Sequence, residues 1–600
     1  MNPDDKLKED LVKNYNDRAD IFLQEENHFK RKSKIISSFR LLLGILTLVG
    51  IWMFTIYPAA YWLVLSSLSF ISFFVVVVLD GKTNKKRQYF HRLRTINEQE
   101  SATLNGKSAS LTTGSLYSSQ DHAYAYDLDI FGAGSLFQMI NRTCTPSGEK
   151  LLVDHLSNPD LQTQHILQRQ KAIAELMPLQ DFRQQFMVTG QENSETPNDI
   201  LQLNLWLNSA NSKLNNPVIA TFRFILPAVT LILLLLAVFG IISYFFVPVS
   251  ILINMAFLQL YRSQINKIHA VVSHKHHILN KYAKLLKHLN DQTFSSEILT
   301  SLRRYGKDAD SSLNALSKTM SFFDQRLNDL VAIVLNGIFL SDFHCVIALD
   351  RWKQTHKDHM PQWLNSIFLM DELNSFANFA FNNPDYTYPT FSDTIFFEAE
   401  NLGHPLIRDH ECIKNNFSSS AEEKVIVLTG ANMSGKSTFL RSMGINLILA
   451  YSGAPVYATK LVCNKTTVYT SMRVTDSLGQ DTSYFYAELK RLSAIVKNLR
   501  EGTKMLVLLD EILKGTNSDD KLLGSIGLIE EFLQYDCLCL IATHDLALGE
   551  LENKYPKQIS NYCFESELNS DQLTFDYTIK RGIAKNKNAT FLMRKEGLIK

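Results

Sequence analysis

Residues Gly430-Ala431-Asn432-Met433-Ser434-Gly435-Lys436-Ser437, followed by Thr438, have the types and spacing G-x-x-x-x-G-K-[ST]. The chemistry is phosphate binding. Glycines let backbone N–H groups close around phosphate oxygens, and a following helix adds its positive end. Lys436 is placed to reach the β- and γ-phosphates, and the Ser437 hydroxyl to ligate Mg²⁺. Two other groups fit the same chemistry. The apolar run 505–509 ends in Asp510-Glu511. Ligands of parallel sheets bind at the carboxyl ends of strands, so Asp510 is placed to hold Mg²⁺, directly or through water, and Glu511 to polarise an attacking water. The apolar run 537–542 ends in Thr543-His544-Asp545, where the His544 ring N–H is placed to sense a γ-phosphate. Between them lies Asp476-Ser477-Leu478-Gly479-Gln480-Asp481-Thr482-Ser483-Tyr484-Phe485, then a helical pattern carrying Glu488. Ser483 can cap that helix, and a serine at an exposed helix start can also donate to phosphate. The ligands expected are ATP and Mg²⁺.

These residues need a scaffold. The apolar run 425–428 before the loop and the helical pattern 438–449 after it give strand, loop, helix. From residue 396 onward short apolar strands alternate with amphipathic helices, the pattern of an α/β domain with a mainly parallel sheet. Upstream, 127–160 and 311–381 read as helical, with Pro146-Ser147-Gly148 as a turn. Phe322, Phe323, Phe339, Phe343, Trp352 and Trp363 are expected in a helix-bundle core. His269, His274, His276, His277 and His288 fall in one helix, where a partly solvated face is expected over a metal site. Cys463, Cys537, Cys539 and Cys563 lie in or near predicted strands as small buried side chains. Lys+Arg 61 against Asp+Glu 60 gives a net charge of +1, which argues neither for nor against nucleic acid.

Two blocks are apolar enough for a membrane. Residues 41–79 carry no charge until Asp80 and divide at Tyr57-Pro58 into 41–56 and 59–79, each near the length that crosses a bilayer. Trp52, Tyr57, Tyr61 and Trp62 suit an interfacial belt near the turn. Residues 224–261, between Arg223 and Arg262, are long enough for two short or tilted spans, the second marginal. Basic residues (Lys30, Arg31, Lys32, Lys34 and Arg40; Lys82, Lys85, Lys86 and Arg87; Arg223; Arg262 and Lys267) flank both blocks. The positive-inside rule then gives four transmembrane helices with both termini and the phosphate loop in the cytoplasm, as in a bacterial-type inner membrane. Residues 101–120, rich in Ser, Thr and Gly, read as linker.

The motifs together resemble the MutS family of ATPases. T-G-A-N-M-S-G-K-S-T (429–438) is similar to its phosphate loop, where Pro is usual at Ala431 and Gly at Ser434. D-S-x-x-x-x-x-S-Y-F (476–485) resembles the signature segment, with Tyr484 for the usual Thr. D-E-I-L-K-G-T-N-S-D-D (510–520) resembles the loop after the acidic pair, departing at Leu513, Lys514 and Asn517. A-T-H (542–544), G-H-P (403–405) and L-F-Q-M-I-N-R-T-C-T-P-S-G-E-K-L-L (136–152) also match. The resemblance covers about 125–210 and 310–595. It implies composite ATP sites in an ABC-ATPase-like arrangement, closed by a homodimer through the ATPase domains. Ser483 would contact the γ-phosphate bound by the opposite subunit, and Asn432 would order the γ-phosphate and water; His404 is expected near the base. It also implies DNA as a possible ligand. Mismatch-repair members carry an N-terminal mismatch-reading domain with a Phe-x-Glu wedge; here a membrane hairpin and linker take that space, no such wedge is visible, and no C-terminal helix-turn-helix extension is expected. Lys281, Lys284, Lys287, Arg303 and Arg304 are the candidate DNA stripe. The expected organisation is a basic segment 1–40, a transmembrane hairpin 41–79, a linker 80–121, an all-α MutS-like core over 122–223 and 262–390 interrupted by a second hairpin 224–261, and a P-loop ATPase domain 391–600. The function expected is that of a membrane-anchored MutS-like ATPase acting on DNA; the alternative is a membrane-bound ATP-driven switch or scaffold that does not.

Overall fold

A computed structural model of the chain describes residues 3–107, 111–210, 212, 214, 216–394, 396–473, 484–513, 517–569 and 572–585. It divides into two compact units, one of Met1–Asn141, Leu156–Gln170 and Asn378–Lys600, the other of Arg142–His155 and Lys171–Ala377.

The first unit begins with two very long helices, α1 (Pro3–Ile56) and α2 (Ala60–Leu104), broken at Tyr57-Pro58. They run antiparallel, because their contacts pair early residues of one with late residues of the other. Ser101 Oγ donates to Asn16 Oδ1 at 2.7 Å, Arg94 pairs with Glu26 at 2.9 Å, and Ser66 Oγ donates to the Thr47 carbonyl at 2.8 Å. Asp80 accepts from Ser33 at 2.8 Å, Ser37 at 3.3 Å and Arg40 at 3.1 Å. A Cβ on Gly50 would stand 2.6 Å from Ser66 Oγ, so glycine sets the close approach of the pair near its tip. The helices do not stop where the apolar block stops. Residues 3–40 and 80–104, expected within a separate segment 1–40 and a linker 80–121, continue them, since no Pro or Gly interrupts 4–43 and only Gly81 interrupts 80–104. At the polar end Tyr15 donates to Asn382, which donates to Glu100, at 2.8 and 2.9 Å. Across the apolar block Leu41, Leu48, Val64, Leu68 and Ile71 are exposed.

The second unit is helical. Its interior is built of helices such as the amphipathic His276–Asp291 and Ala309–Phe323 and the largely buried Ser341–His356, which bury Leu286, Leu289, Leu313, Met320 and Phe343. Trp206 stacks on Trp352. Of the aromatics expected in the core, Phe323, Phe343 and Trp363 are buried, but Phe322 and Phe339 are exposed. Pro146 starts a helix, Pro146–Ser157, rather than a turn: Thr145 Oγ accepts the Gly148 N–H at 3.0 Å and donates to the buried Asp371 at 2.7 Å, while proline at the first helical position gives up no needed donor. Two apolar helices follow, α3 (Pro217–Val238) and α4 (Phe246–Val272), against which a shorter one, α5 (Asp329–Phe339), packs. Among the described residues four helices (α1 to α4) are long and apolar enough to cross a membrane, or five if α5 and the helix Ser341–His356, bent at 82°, count together. His269 and His276 both bond Asp324 at 3.0 Å, and among the described residues no group of three or more His, Cys, Asp or Glu is arranged to hold a metal ion.

The C-terminal part of the first unit holds two sheets. The smaller has the order β1 (Thr390–Phe391), β5 (Lys460–Cys463), β2 (Phe397–Leu402), β3 (Asn415–Ser418). The larger is formed by β4 (Val425–Gly430), β6 (Thr467–Ser471), β7 (Met505–Asp510), β8 (Cys537–Thr543), β9 (Ile559–Asn569) and β10 (Gln572–Arg581), in the order β10-β9-β4-β8-β7-β6. Every pairing in it is parallel except β9 with β10, a C-terminal hairpin that no sequence motif signalled. Strands β4, β7 and β8 are buried on both faces, which is why they read as continuous apolar runs. The helix α6 (Lys436–Tyr451) covers one face, with Gly444 against Leu508. On the other, Ile495 and Leu499 of α7 (Tyr484–Arg500) and Ile529 and Phe532 of α8 (Ser518–Phe532) pack on Val427, Val507, Leu509 and Ile541. Cys463, Cys537, Cys539 and Cys563 are buried thiols in these strands.

Candidate functional site

The register of the large sheet decides where its functional residues meet. Thr429 of β4 lies beside Thr543 of β8, and Asp510 of β7 beside Ala542. The three strands therefore end level, and the residues that come after them, the loop 430–437, Glu511 and His544, emerge at one carboxyl edge. The loop makes its turn with Gly430 at φ 155°, Met433 at 64° and Gly435 at 107°, then enters α6 at Lys436. Positive φ is tolerated at the two glycines without a Cβ penalty, and the helix start turns N–H groups toward the loop.

Lys436 is buried, with Nζ donating to the carbonyls of Gly430 and Ala431, each at 2.8 Å. The cation is thus held at the centre of the loop. Ser437 Oγ donates to Asp510 Oδ2 at 2.5 Å, which sets a hydroxyl and a carboxylate side by side. Two hard oxygen donors in contact fit Mg²⁺, which takes few protein ligands and keeps the rest of its shell for water and phosphate. Nε2 of His544 is the hub of a second group. It lies 2.7 Å from Glu511 Oε1, 2.6 Å from Asn432 Oδ1 and 3.5 Å from Lys436 Nζ. Glu511 itself has φ 53°, a left-handed conformation that turns its side chain out of the strand line. The loop after it is held by Glu488 of α7, whose carboxylate accepts the Leu513 N–H at 2.6 Å. Asn517 caps α8 by accepting from Asp520 N–H at 2.9 Å.

Asn432, Lys436, Ser437, Asp510, Glu511 and His544 are therefore brought together. Gly430, Ala431, Met433, Ser434, Gly435 and Thr438 line the loop or the first turn of α6, with Met433 at 85% exposure and Ser434 buried. Ser483, with the rest of 474–483, lies outside the described residues, as does Lys514. His404 is buried beneath α6; its Nδ1 accepts the Leu406 N–H at 3.2 Å, and burial, helped by the Arg441 cation, holds its pKa down to about 4.

Sequence reasoning passed over two features. Tyr577 sits at a bulge in β10 with φ 51°, and its ring stands 3.2 Å from where a Cβ on Gly435 would be, so it walls one side of the loop. Asn415 fixes that bulge by bonding Tyr577 O at 3.0 Å and Ile579 N at 2.7 Å. The second is a buried anchor for residues 470–473 and Arg491. Asp127 accepts from Thr470 Oγ at 2.7 Å, Met472 N at 3.1 Å, Arg473 N at 2.9 Å and Arg491 at 3.3 Å. Asp129 takes Arg473 at 2.6 and 2.9 Å. Neither carries a local pattern; only the tertiary fold joins residues more than three hundred positions apart.

The segment order and the site geometry agree with the comparisons. Residues 426–593 match the family description of MutS domain V, and 116–380 that of MutS domain III. The DNA mismatch repair protein MutS of Thermotoga neapolitana is 33% identical over 205 residues, covering 33% of this chain and 25% of that protein. MutS protein homolog 4 of Mus musculus is 29% identical over 236 residues, covering 37% of this chain and 24% of that protein. The human MutS protein homolog 4 is 28% identical over the same length. The matches thus span about a quarter of the length of these curated relatives. Two domain matches in family order, with the phosphate loop, acidic pair and histidine of the second gathered at one sheet edge, make this chain a member of the MutS family, a mismatch-repair-related ATPase family.

Proposed function

We propose that the chain is a membrane-anchored ATPase. Its larger sheet would be a P-loop fold of the ABC-ATPase kind, binding ATP with Mg²⁺ at the loop 430–438. The observation that carries this is the convergence at one carboxyl edge of Lys436, the Ser437–Asp510 oxygen pair and the Glu511–His544–Asn432 group. Lys436 and the loop N–H groups would hold the phosphates, and Ser437 and Asp510 would hold Mg²⁺, which supplies charge neutralisation on the phosphates. Glu511 would accept a proton from water, with His544 holding its carboxylate in place and Asn432 holding His544. Ser483 of a second copy would complete the site, so that ATP closes a homodimer. The lipid bilayer would take α1 to α4, with both termini and the ATP site cytoplasmic.

DNA is the ligand the family suggests, since two of the relatives' names are those of mismatch repair and MutS homologues. One observation favours the reading without DNA. In the candidate stripe Lys281 is buried against Glu195 at 2.6 Å, Lys284 pairs with Glu192, and Arg303 bonds the Asn290 carbonyl at 3.1 Å. Charges already spent internally release few counterions from DNA.

Phosphate release from ATP by the detergent-solubilised full chain, with Lys436→Ala beside it, tests the activity. Equal release by both proteins, at any protein concentration, would defeat it. Salt-dependent binding to duplex, mismatched and branched DNA with ATP present separates the two ligand readings.

A further inference from the structure

The membrane reading covers α1 to α4, but α5 carries the same kind of surface. From Leu330 to Ser341 there is no charge, and Leu330, Ile333, Val334 and Phe339 are exposed. Phe339 was expected in a helix-bundle core, and an 11-residue helix is too short to span. The position of α5 relative to α4 explains the surface. Just before α5, Arg326 donates to Asn266 of α4 at 2.9 Å and Asp324 bonds His269 at 3.0 Å, at the charged end of α4. Near its other end, Gly337 packs on Ile251, where a Cβ would stand 2.8 Å away. The Gly337 carbonyl accepts from Asn254 Nδ2 at 2.6 Å, and the same amide reaches Thr230 of α3 at 3.0 Å. Asn254 lies about 12 Å along α4 from Arg262, well inside the charge-free block. The chain then reverses. Leu340 takes φ 52°, and the next helix, Ser341–His356, leaves at 82° to α5. On the way back Phe343 meets Phe257 and Tyr261 at 5.2 and 5.6 Å, and Asp342 pairs with Arg326 at 3.1 Å.

The backbone at this break is provided for. A helix end inside hydrocarbon leaves carbonyls and N–H groups that water cannot reach, and such breaks persist only where protein groups take them. Asn254 takes a carbonyl of the last turn of α5. Asn336 Oδ1, buried, accepts both the Asp342 N–H at 2.9 Å and the Ser341 hydroxyl at 3.0 Å, capping the helix that follows. A solvated loop would need neither.

We propose that residues 329–340 form a re-entrant membrane segment, a half-helix that descends beside α3 and α4, presents Leu330, Ile333, Val334 and Phe339 to lipid acyl chains, and returns to the side it came from. This rests on the membrane reading of α3 and α4. The test is lipid quenching in the full chain reconstituted in phosphatidylcholine–phosphatidylglycerol vesicles. Ile333→Cys, Val334→Cys, Leu252→Cys on α4 and Ser311→Cys on a core helix are each labelled with an environment-sensitive fluorophore, over the labelling background of the unsubstituted chain. Acyl-chain nitroxide lipids are expected to quench positions 333 and 334 at least half as strongly as 252, and 311 hardly at all. All the substituted side chains are at the surface, and retained ATP binding reports folding. Quenching at 252 without quenching at 333 and 334 overturns the re-entrant segment alone. No quenching at 252 removes the membrane reading and this proposal with it. Disulfide-linked dimers of Val334→Cys, with position 334 unquenched, would assign the face to a second copy instead and overturn the proposal.

Discussion

Replacing Glu511 by Gln separates binding from chemistry in the proposed site. The amide keeps the size of the side chain and an oxygen for His544, whose Nε2 lies 2.7 Å from Glu511 Oε1. It removes the charge and the basic lone pair. Nothing that would hold ATP is touched: Lys436 bonds the loop carbonyls and Ser437 bonds Asp510, neither through Glu511. The change should therefore leave nucleotide affinity within about threefold while removing general-base assistance, about 10²- to 10⁴-fold in turnover, or roughly 3 to 5 kcal/mol of barrier. Titration with a fluorescent ATP analogue measures the first quantity, and phosphate release under saturating Mg²⁺-ATP the second. Turnover within about threefold of the unsubstituted chain would take Glu511 out of the water-polarising role. A parallel collapse of affinity would place Glu511 among the binding residues and refute the division of labour.

Gly435→Ala asks a positive φ of 107° from alanine and sets a Cβ 3.2 Å from the Tyr577 ring, so nucleotide affinity should fall about 5- to 150-fold, from roughly 1 to 3 kcal/mol of strain; the same titration reads it, and an unchanged affinity would mean the loop does not keep this shape. Asp127→Ala strands the Thr470, Met472, Arg473 and Arg491 donors, and breaking such a buried pair should cost about 3 to 5 kcal/mol. Denaturant unfolding checks this, with a loss below about 1 kcal/mol counting against the anchor. His404 adds a pH dependence. Its folded pKa, near 4, is below the ordinary 6.5. The unfolded chain therefore binds more proton between those values, and stability is full above about 6.5 and falls by about 3 kcal/mol as pH drops toward 4. The thermal midpoint should drop less between pH 7.5 and 5 in His404→Asn than in the unsubstituted chain; equal drops would contradict the assignment.

The site was legible in the sequence because each of its parts is local. A strand, a glycine-bounded loop and a helix are contiguous around Lys436, and Asp510-Glu511 and His544 each end an apolar run. Parallel strands that end level then bring them together by register alone. Tyr577 was not legible, since its approach to Gly435 depends on a bulge in a C-terminal hairpin. Asp127 was not either, because a buried aspartate is visible only through donors that arrive from 470–491. The break at Tyr57-Pro58 is plain in the sequence, but the ends of the apolar block are not the ends of the helices. Hydropathy changes at Arg40 and Asp80 while helix propensity does not, so α1 and α2 pass through both. Phe339 departs from its expected core position for the converse reason: an apolar helix reads alike whether or not the rest of the chain covers it.

The continuous helices of the first hairpin have a mechanical consequence. Between Tyr15, bonded to Asn382, and Arg40, paired with Asp80, α1 rises about 38 Å with α2 clamped alongside. Such a pair is a rigid boom pivoted where Tyr15, Glu100 and Asn382 share hydrogen bonds. A tilt of roughly 5° at that pivot moves the far end by about 3 Å, a distance comparable to the rise of two helical residues. Substituting Asn382 would loosen the pivot without touching either the loop 430–437 or the apolar tip, and so would uncouple the boom from the rest of its unit.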